Sequence, residues 1–387
     1  MIRTITSKTI THQRALLRVD FNVDLDEKGR ILSDFRMRAT LPTIEFLLKN
    51  QAEKVIIVSH LGRPKGKDKK LSLLPIAKHL EKILKQKVIF VDDCIGEKVK
   101  NEIESRKEKI FVLENLRFYE GEENNDKTFA QQLAELADIY VNDAFGVSHR
   151  LNASVAAITQ FLPSYAGLLL TNEVKNLTRL IEKVVSPFVV VLGGAKISTK
   201  LPLIDTFLKK ADSILLGGGL ANTVWKAWDF EIGKSLFEAE QIKAAKNLGS
   251  QKAELIVPGD FVVASSFKAK KGCVKEIGDI DPRDVIVDIG PISTKVFCDL
   301  IKSAKTILWN GPMGYWENKA FRDSTIKIAR AIANSKGFTV VGGGDTLTAI
   351  EELHLLNRYS FVSTGGGAML EFLAKGNLPA LDFLMEK

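Results

Sequence analysis

The sequence predicts an α/β fold with two doubly wound, Rossmann-like domains, each built on a parallel sheet covered by helices. The chain has 387 residues, which is too long for one ordinary hydrophobic core and about right for two. Apolar residues make up 45% and charged residues 26%, which is the balance of a globular protein. Short β-branched runs alternate with amphipathic stretches along the whole length, as in parallel sheets with helices on both faces.

The first half contains four short apolar runs that predict buried parallel strands. These runs are RALLRVDF (14–21), KVIIVSH (54–60), KIFVLEN (109–115) and DIYVND (138–143). Between them, FRMRATLPTIEFLLKN (35–50) and LLPIAKHLEKILKQ (73–86) place apolar residues at helical spacing. This alternation predicts a doubly wound first domain.

The same alternation resumes in the second half and predicts a second domain of this type. Its strands are PFVVVLGG (187–194), SILLGGG (213–219), DVIVDIG (284–290), KTILWNG (305–311), FTVVGGG (338–344) and YSFVSTGGG (359–367). The second part of PSYAGLLLTNEVKNLTRLIEKVV (163–185) predicts one helix long enough to join two lobes. We place the boundary there, with residues 1–165 in the N-terminal domain and 166–373 in the C-terminal domain.

Composition and charge argue against several classes of protein. No apolar run approaches the roughly 20 residues of a membrane span, and the first residues lack the apolar stretch of a secretory signal, so we expect a cytoplasmic protein. Cys94, Cys273 and Cys298 are widely spaced, which argues against a disulfide framework or a cysteine zinc site. The net charge of +8 is evenly spread, with 27 Lys/Arg against 23 Asp/Glu in residues 1–165, and this disfavours a nucleic-acid-binding arm.

Glycine clusters end four predicted strands of the second half, at 193–194, 217–219, 342–344 and 365–367. Ligands of open parallel sheets bind beyond the carboxyl ends of the strands. Glycine allows a close backbone approach there, and free N–H groups at a following helix favour anions. The clusters therefore predict a nucleotide phosphate site, although tight packing of strand against helix also selects glycine. The GxxxxGK[ST] P-loop and the GxGxxG fingerprint of dinucleotide dehydrogenases are both absent.

Charged residues beside these glycines are candidate phosphate and metal ligands. Lys196 and Lys200 are four residues apart and would share one face of a helix, where their charges would stabilise a phosphoryl group in transfer. Asp345, at the opening turn of a helix, would bind a Mg²⁺ ion carried by the nucleotide. Glu317 is a candidate for the ribose hydroxyls. The simpler alternatives are solvated surface lysines and an aspartate that only caps its helix.

In the first half, arginine and histidine residues follow the predicted strands. Asp20 and Asn22 follow the first run, His60 and Arg63 the second, Arg117 the third, and His149 and Arg150 the fourth, while Arg36 opens the first helix. Four arginines converging on one strand-end face would bind a phosphorylated carboxylic acid, because the guanidinium fork matches both anions. Asp20 would orient an arginine or accept a substrate hydroxyl. Taken singly, each arginine is also explained as a solvated loop charge, and the two histidines lack a third ligand for zinc.

Eight motifs, in order across both halves, make the chain resemble the phosphoglycerate kinase family from about residue 14 onward. They are RVDFNV (18–23), SHLGRP (59–64), ENLRF (114–118), VNDAFGVSHR (141–150), GGAKIS (193–198), WNGPMG (309–314), GGGDT (342–346) and STGGGA (363–368). The resemblance implies reversible transfer of the acyl phosphate of 1,3-bisphosphoglycerate to Mg-ADP, giving 3-phosphoglycerate and ATP. It also implies a monomer, a C-terminal tail (374–387) that returns to the first domain, and a cleft between the domains that closes over the substrates.

The resemblance also implies roles for individual residues. The implied catalytic residues are Arg36, Lys196 and Lys200. The implied substrate-binding residues are Asp20, Phe21, Asn22, Arg36, His60, Leu61, Gly62, Arg63, Arg117 and Arg150. The implied nucleotide-binding residues are Lys200, Gly290, Glu317, Gly343, Gly344, Asp345 and Thr346. Mg²⁺ would be bound by Asp345 together with the nucleotide phosphates.

Three positions depart from the family's usual pattern, and three other classes of function stay open. Asp24 stands where proline is common, Gly259 where an apolar residue is usual and Ser324 where glycine is usual, so the resemblance does not imply the loop geometry there. The alternatives are a catalytically inactive nucleotide-binding relative, a basic nucleic-acid-binding protein and a dehydrogenase. The intact lysines and aspartate of the second half disfavour the first, and the even charge and the missing fingerprint disfavour the other two.

Overall fold

The computed structural model describes residues 2–248 and 253–386. Across these ranges the chain divides into two compact units. Unit 1 consists of Met1–Lys175 together with Asn377–Lys387, and unit 2 consists of Asn176–Gly376. The boundaries expected from the sequence were 165/166 and 373/374. The two units instead meet ten residues later, at 175/176 inside the joining helix, and three residues later, at 376/377.

Unit 1 is built on a sheet of six parallel strands. In chain order they are β1 (Arg14–Arg18), β2 (Lys54–Val58), β3 (Val88–Val91), β4 (Ile110–Leu113), β5 (Ile139–Asn142) and β6 (Ser164–Ala166). Across the sheet their order is β3-β4-β2-β1-β5-β6, and every neighbouring pair is parallel. The direction of winding changes between β1 and β5, which is the position where open α/β sheets bind ligands.

Helices cover both faces of this sheet. They are α1 (Ser7–Ile10), α2 (Phe35–Lys49), α3 (Leu74–Leu84), α4 (Glu97–Ser105), α5 (Glu120–Glu123), α6 (Lys127–Ala134), the joining helix α7 (Leu168–Glu182), and the C-terminal helix α15 (Pro379–Asp382). Successive strand residues enter two different cores: Leu17 and Ile57 pack in one cluster, whereas Leu16 and Ile56 pack in another. Both faces of the sheet are therefore buried, which explains the continuous apolar runs.

Unit 2 is built on a second sheet of six parallel strands. They are β7 (Phe188–Leu192), β8 (Ser213–Leu216), β9 (Glu254–Ile256), β13 (Thr306–Asn310), β14 (Phe338–Gly342) and β15 (Phe361–Ser363), in the order β15-β14-β13-β7-β8-β9. Its helices are α8 (Leu201–Phe207), α9 (Gly218–Ala227), α10 (Ile242–Lys246), α11 (Pro291–Ser303), α12 (Asp323–Ala333), α13 (Gly344–Glu352) and α14 (Gly367–Lys375). The two parallel sheets confirm the predicted α/β class.

A second, antiparallel sheet in unit 2 corrects one prediction. Its strands are β10 (Asp260–Ala264), β11 (Cys273–Glu276) and β12 (Val285–Ile289), in the order β11-β10-β12. The run DVIVDIG (284–290) therefore forms an antiparallel strand and not a member of the parallel sheet. All five residues of β12 are buried, so its continuous apolar pattern is the same as that of a central parallel strand.

The two parallel sheets place the carboxyl ends of several strands beside one another within each unit. β1 and β2 run in register from Arg14 opposite Lys54 to Arg18 opposite Val58. In unit 2, β7 and β13 end together at Leu192 and Asn310. Residues that follow these strands are therefore neighbours in space. Among the helices of residues 2–248 and 253–386, none has the length and apolar content needed to cross a membrane.

Candidate active site

Asp20, which follows β1, forms an ion pair with the first helix of unit 1. A carboxylate oxygen of Asp20 lies 2.9 Å from Nη1 of Arg36, and the same Nη1 donates to the carbonyl oxygen of Asn22 at 3.2 Å. Burial opposes ionisation of Asp20, but the positive charges of Arg36 and Arg18 help to hold its pKa below the usual value. Asp20 therefore orients Arg36 as an ionised partner, as one of the two predicted roles requires.

The loop after β2 is fixed by hydrogen bonds to residues from two other strand ends. The side-chain oxygen of Asn22 accepts a bond from the backbone N–H of Gly62 at 2.8 Å. Nη1 of Arg117 donates to the carbonyl oxygen of Gly62 at 2.6 Å. Gly62 has a φ of +62°, a conformation that glycine adopts without strain. Asn22, Gly62 and Arg117 are thus brought together by three separate segments.

The four predicted arginines do not share one environment. Arg117 is buried, which lowers its pKa, and the positive charges of Arg150 and Arg18 lower it further, although Glu123 at 3.1 Å opposes this. Arg36 and Arg150 are partly exposed, and Nε of Arg150 donates to Nε2 of His149 at 3.2 Å. Arg63 is exposed on the loop after β2. The charges of Arg36 and Arg117 both act on the buried His60, and that of Arg150 acts on Arg117, so these three arginines lie near one another, whereas Arg63 is exposed.

Two residues that the resemblance implied as substrate contacts have core side chains. Phe21 is fully buried and Leu61 is 2% exposed, and both pack in the core cluster that contains Leu17 and Ile57. The backbone N–H of Phe21 donates to the hydroxyl of Ser59 at 2.9 Å. Any contact that Phe21 or Leu61 makes with a ligand must therefore involve the backbone.

His60 is buried, and its neighbours are mostly positive. Burial lowers the pKa of His60 to about 3, and the charges of Arg18, Arg117 and Arg36 act in the same direction against the opposing effect of Asp20. The imidazole is therefore neutral over the physiological range. It contributes a hydrogen-bonding group to the site and adds no positive charge.

Sequence reasoning missed a buried polar network beneath the site. Arg18, in β1, is 1% exposed, and its Nε donates to the hydroxyl of Ser154 at 2.8 Å. Ser154 donates in turn to Glu122 at 2.7 Å, and Glu122 is also 1% exposed. The sequence did contain a sign of this network, which is the charged Arg18 inside the apolar run RALLRVDF. An arginine in a strand that is buried on both faces must have polar partners.

In unit 2, the structure corrects the expectation that Lys196 and Lys200 share a helical face. Helix α8 begins only at Leu201, so both lysines belong to the loop before it. Lys196 is exposed, whereas Lys200 is 7% exposed. Nζ of Lys200 donates to the carbonyl oxygens of Gly193 at 2.5 Å and Asn310 at 3.1 Å. Burial lowers the pKa of Lys200 to about 8, while Asp345 acts to raise it.

The glycines that follow the strands of unit 2 divide into positions required by close packing and positions with room for a side chain. A Cβ atom at Gly193 would lie 2.0 Å from the carbonyl oxygen of Pro312, and one at Gly290 would lie 2.1 Å from the Asp260 carboxylate. These two glycines are required by close packing. At Gly344 and Gly367, by contrast, a Cβ atom would meet nothing within 4 Å. Gly193–Gly194 also precede a loop and not a helix, contrary to expectation.

A pocket of about 230 Å³ in unit 2 is lined by residues from several glycine turns. Gly194, Gly218 and Gly219 form part of its wall, with Glu317 and Asp345 at its polar part. The apolar lining includes Leu236, Phe261, Phe267, Ile286 and Met313. A mainly apolar pocket with a few convergent polar groups suits a nucleobase and its sugar.

The other implied nucleotide residues lie outside this lining. They are Lys200, Gly290, Gly343, Gly344 and Thr346. Thr346 is buried, and its hydroxyl accepts a hydrogen bond from the N–H of Gly311 at 2.7 Å. Asp288, which sequence reasoning missed, does line the pocket. No strand-end rule could find it, because it lies inside β12.

The donor set around Asp345 fits a magnesium ion that arrives with a nucleotide. Asp345 is exposed in the first turn of α13, and the N-cap residue of this helix is Gly343 and not Asp345. Among the residues that the structure describes, no three His, Cys, Asp or Glu side chains gather to form a metal site of their own. One carboxylate with phosphate oxygens and water is the coordination that Mg²⁺ commonly uses.

Comparison with known proteins agrees with the motifs. The family model described as phosphoglycerate kinase matches residues 5–376. The phosphoglycerate kinase of Coprothermobacter proteolyticus is 45% identical over 386 residues, which is 98% of each chain. The structure of phosphoglycerate kinase from Coxiella burnetii has a TM-score of 0.85 and 37% identity, with 99% of both chains covered. That from Pyrococcus horikoshii OT3 has a TM-score of 0.87 and 31% identity, covering 97% of this chain and 96% of its own.

Proposed function

The chain belongs to the phosphoglycerate kinase family, and we propose that its unit 1 binds the phosphorylated acid while its unit 2 binds Mg-nucleotide. Its reaction is reversible transfer of the acyl phosphate of 1,3-bisphosphoglycerate to ADP, giving 3-phosphoglycerate and ATP. The side chains of unit 1 and unit 2 support the assignment of each substrate to its unit and of a role to each residue.

The charges of unit 1 support an anion site. Arg36, Arg117 and Arg150 contribute positive charge at the ends of β1, β4 and β5, and the exposed Arg63 extends it. Guanidinium groups bind carboxylate and phosphate through paired N–H donors, and both groups are present in 3-phosphoglycerate. The remaining contacts would come from Asp20, Asn22 and His60, with Phe21, Leu61 and Gly62 acting through the backbone.

The pocket of unit 2 supports a nucleotide site. Its apolar lining would hold the base, and Glu317 would accept hydrogen bonds from the ribose hydroxyls. The free N–H groups of α13, beginning at Gly344, would bind phosphate oxygens together with Gly343 and Thr346. Gly290 would keep α11 and β12 close to the pocket. Asp345 would hold Mg²⁺, which when bound neutralises charge on the phosphates.

The chemistry needs alignment and charge, and it needs no general base. In the direction of ATP consumption, an ionised carboxylate oxygen of 3-phosphoglycerate forms a bond to the γ-phosphorus while the bond from that phosphorus to the β–γ bridging oxygen breaks. No proton moves, so we propose that Lys200, Lys196 and Arg36 stabilise the charge that spreads over the transferred phosphoryl oxygens. Lys200 starts as an internal donor to two carbonyls and would exchange these bonds for phosphate oxygens.

The observation that carries this proposal is the buried Lys200. Burial of a lysine beside a glycine turn lowers its pKa and destabilises its charged form, and a protein without catalytic activity would not need such a residue. The test is a coupled assay of ADP formation from 3-phosphoglycerate and Mg-ATP, with and without excess chelator. We expect turnover that requires both substrates and is lost with chelator. Nucleotide binding without turnover would favour the inactive relative, and activity in excess chelator would contradict the magnesium role.

We further propose that the protein acts as a monomer in the cytoplasm. The family's substrates are small metabolites, and all of the implied site residues belong to one chain. Size-exclusion chromatography with light scattering would test the first statement. A mass near twice the 42.8 kDa of the chain would contradict it.

A further inference from the structure

The buried Arg18 makes a contact that decides the protonation pattern of His60. Nη2 of Arg18 lies 3.3 Å from Nδ1 of His60, and both side chains are almost fully buried. A guanidinium group has five N–H donors and no acceptor. Nδ1 of His60 must therefore accept this hydrogen bond, because two facing donors would repel each other.

The other bonds of Arg18 hold it in this orientation. Its Nε donates to the Ser154 hydroxyl at 2.8 Å, its Nη1 donates to the carbonyl oxygen of Val19, and its Nη2 also lies 3.8 Å from Glu122. Ser154 is itself fixed by Glu122, which accepts from both its hydroxyl and its N–H. Arg18 thus has no freedom to turn away from the imidazole.

The alternative partner of Nδ1 is too distant to reverse this assignment. The nearest carboxylate oxygen of Asp20 lies 3.9 Å from Nδ1, beyond hydrogen-bonding distance, and Asp20 is already paired with Arg36 at 2.9 Å. A neutral imidazole that accepts at one nitrogen carries its proton on the other. Its Nε2–H makes no hydrogen bond to another residue in the part of the chain that the structure describes.

We propose that Arg18 is a positioning residue that fixes His60 as the Nε2–H tautomer, so that His60 donates one directed hydrogen bond to an oxygen of the bound phosphorylated acid. This inference rests on the proposed function for its ligand, but the tautomer itself does not. The arginines attract the anion from several sides, whereas a neutral N–H donor fixes the orientation of the one oxygen that it binds. The groups that face His60 are Asp20 and Arg18 from the β1 segment, Arg36 from α2, and Arg117 from the turn after β4.

The first test is ¹⁵N NMR of the histidine-labelled protein without substrate. The chain has five histidines, and the His60→Gln variant identifies the signal of His60. We expect His60 to show an unprotonated Nδ1 and a protonated Nε2, with no titration between pH 5 and 8. A protonated Nδ1, or two protonated nitrogens in this range, would overturn the proposal even if the enzyme is fully active.

The second test compares Arg18→Met with Arg18→Lys. In Arg18→Met we expect His60 to lose its single tautomer, and its pKa to rise because a neighbouring positive charge is gone. The KM for 3-phosphoglycerate should rise about 10-fold, the effect of one hydrogen bond to a charged oxygen, while the KM for Mg-ATP stays unchanged. In Arg18→Lys, which keeps a donor and a charge, we expect partial recovery of both the tautomer and the KM.

The Arg18→Met variant leaves Glu122 buried with one partner fewer, so a second variant is needed as a control for loss of folding. Arg18→Met combined with Glu122→Gln removes both charges and keeps hydrogen bonds to Ser154. This double variant should fold and should show the same change at His60. If its His60 keeps the Nε2–H tautomer and its KM for 3-phosphoglycerate is normal, Arg18 has only a structural role and the proposal is wrong.

Discussion

Nζ of Lys200 lies 3.1 Å from the carbonyl oxygen of Asn310, the last residue of β13, and 2.5 Å from the carbonyl oxygen of Gly193, which follows β7. A single ammonium group therefore bridges the carboxyl ends of two neighbouring strands. It is held by backbone that is itself fixed in the sheet, so before any ligand binds this ammonium group is an internal donor. In the proposed mechanism it exchanges these carbonyl partners for phosphate oxygens, and a positive charge there stabilises the transition state.

We predict that Lys200→Ala lowers kcat by about 100- to 1000-fold and changes both KM values much less. The reason is that charge on the transferred phosphoryl oxygens is greatest in the transition state. Lys209→Ala is the matched control, because Lys209 is exposed just after α8 and should leave kcat unchanged. Circular dichroism must confirm folding, since two carbonyls lose a donor. An unchanged kcat would remove Lys200 from the mechanism.

The lowered pKa of Lys200 predicts an alkaline limit to activity. Burial lowers this pKa to about 8, so the ammonium form is lost as the pH rises through that value. We expect kcat/KM for Mg-ATP, which reports the free enzyme, to be constant below about pH 7 and to fall above about pH 8. In Lys200→Arg, whose charge persists, any remaining activity should lose this alkaline limb. The same limb in both proteins would assign it to another group.

Arg36→Ala should nearly abolish turnover while the protein stays folded. Arg36 is paired with Asp20 at the strand-end face, and its loss removes one cation from the anion site and leaves a buried carboxylate without its partner. Arg38→Ala is the control, because Arg38 lies on the same helix but is exposed and paired with Asp34. Activity within twofold of wild type for Arg36→Ala would contradict the anion site.

Asp143 predicts a stability change with pH that has the opposite sign to that of most carboxylates. It is buried after β5, accepts from the N–H of Leu170 at 3.1 Å, and has its pKa raised to about 7, chiefly by burial. The folded state therefore binds this proton more tightly than the unfolded chain does. The stabilisation is fully present below about pH 4 and is lost as the pH rises to about 7.

The comparison of wild type with Asp143→Asn isolates this effect from other groups. Between pH 5 and 7, the free energy of unfolding in urea should fall by about 1–3 kcal/mol more in wild type than in the variant. Asparagine keeps the size of the side chain and a hydrogen-bonding group but does not titrate. Equal pH dependence in the two proteins would show that Asp143 is not protonated in the folded state.

The sequence was most informative where chain order and spatial order coincide. Residues that follow parallel strands meet at one edge of the sheet, and this rule predicts that Asp20, Asn22 and Arg117 are neighbours. In the structure, Asn22 and Arg117 both bond to the backbone of Gly62. Their roles toward the ligands stay predictions. The same rule could not find Arg18, because that residue lies within β1 and acts from beneath the site.

Two errors came from local patterns that have more than one physical solution. The buried run of β12 has the same composition whether its neighbours are parallel or antiparallel, and pairing is decided by β10, far from it in sequence. The spacing of Lys196 and Lys200 assumed a helix that begins before Lys196. Pro202 marked the true start, since proline is favoured in the first turn of a helix.

The role of each glycine was also ambiguous in the sequence, because glycine is selected both by close packing and by an open approach for a ligand. Gly193 and Gly290 are selected by neighbouring atoms that leave no room for a side chain. Gly344 has room for one, so packing does not explain it. Only the positions of surrounding atoms separate the two cases, and a sequence does not contain them.

The C-terminal segment of unit 1 has a consequence for how the protein is made. The N–H of Arg3 donates to the carbonyl oxygen of Leu384 at 2.8 Å. The N–H of Ala380 donates to the carbonyl oxygen of Ser148, one residue before His149, at 3.1 Å. During translation, these closing residues of unit 1 are made only after the whole of unit 2. The unit that is begun first therefore cannot be completed until unit 2 has been synthesised. A chain truncated before residue 377 would contain every residue of unit 2 but would lack the segment that closes unit 1.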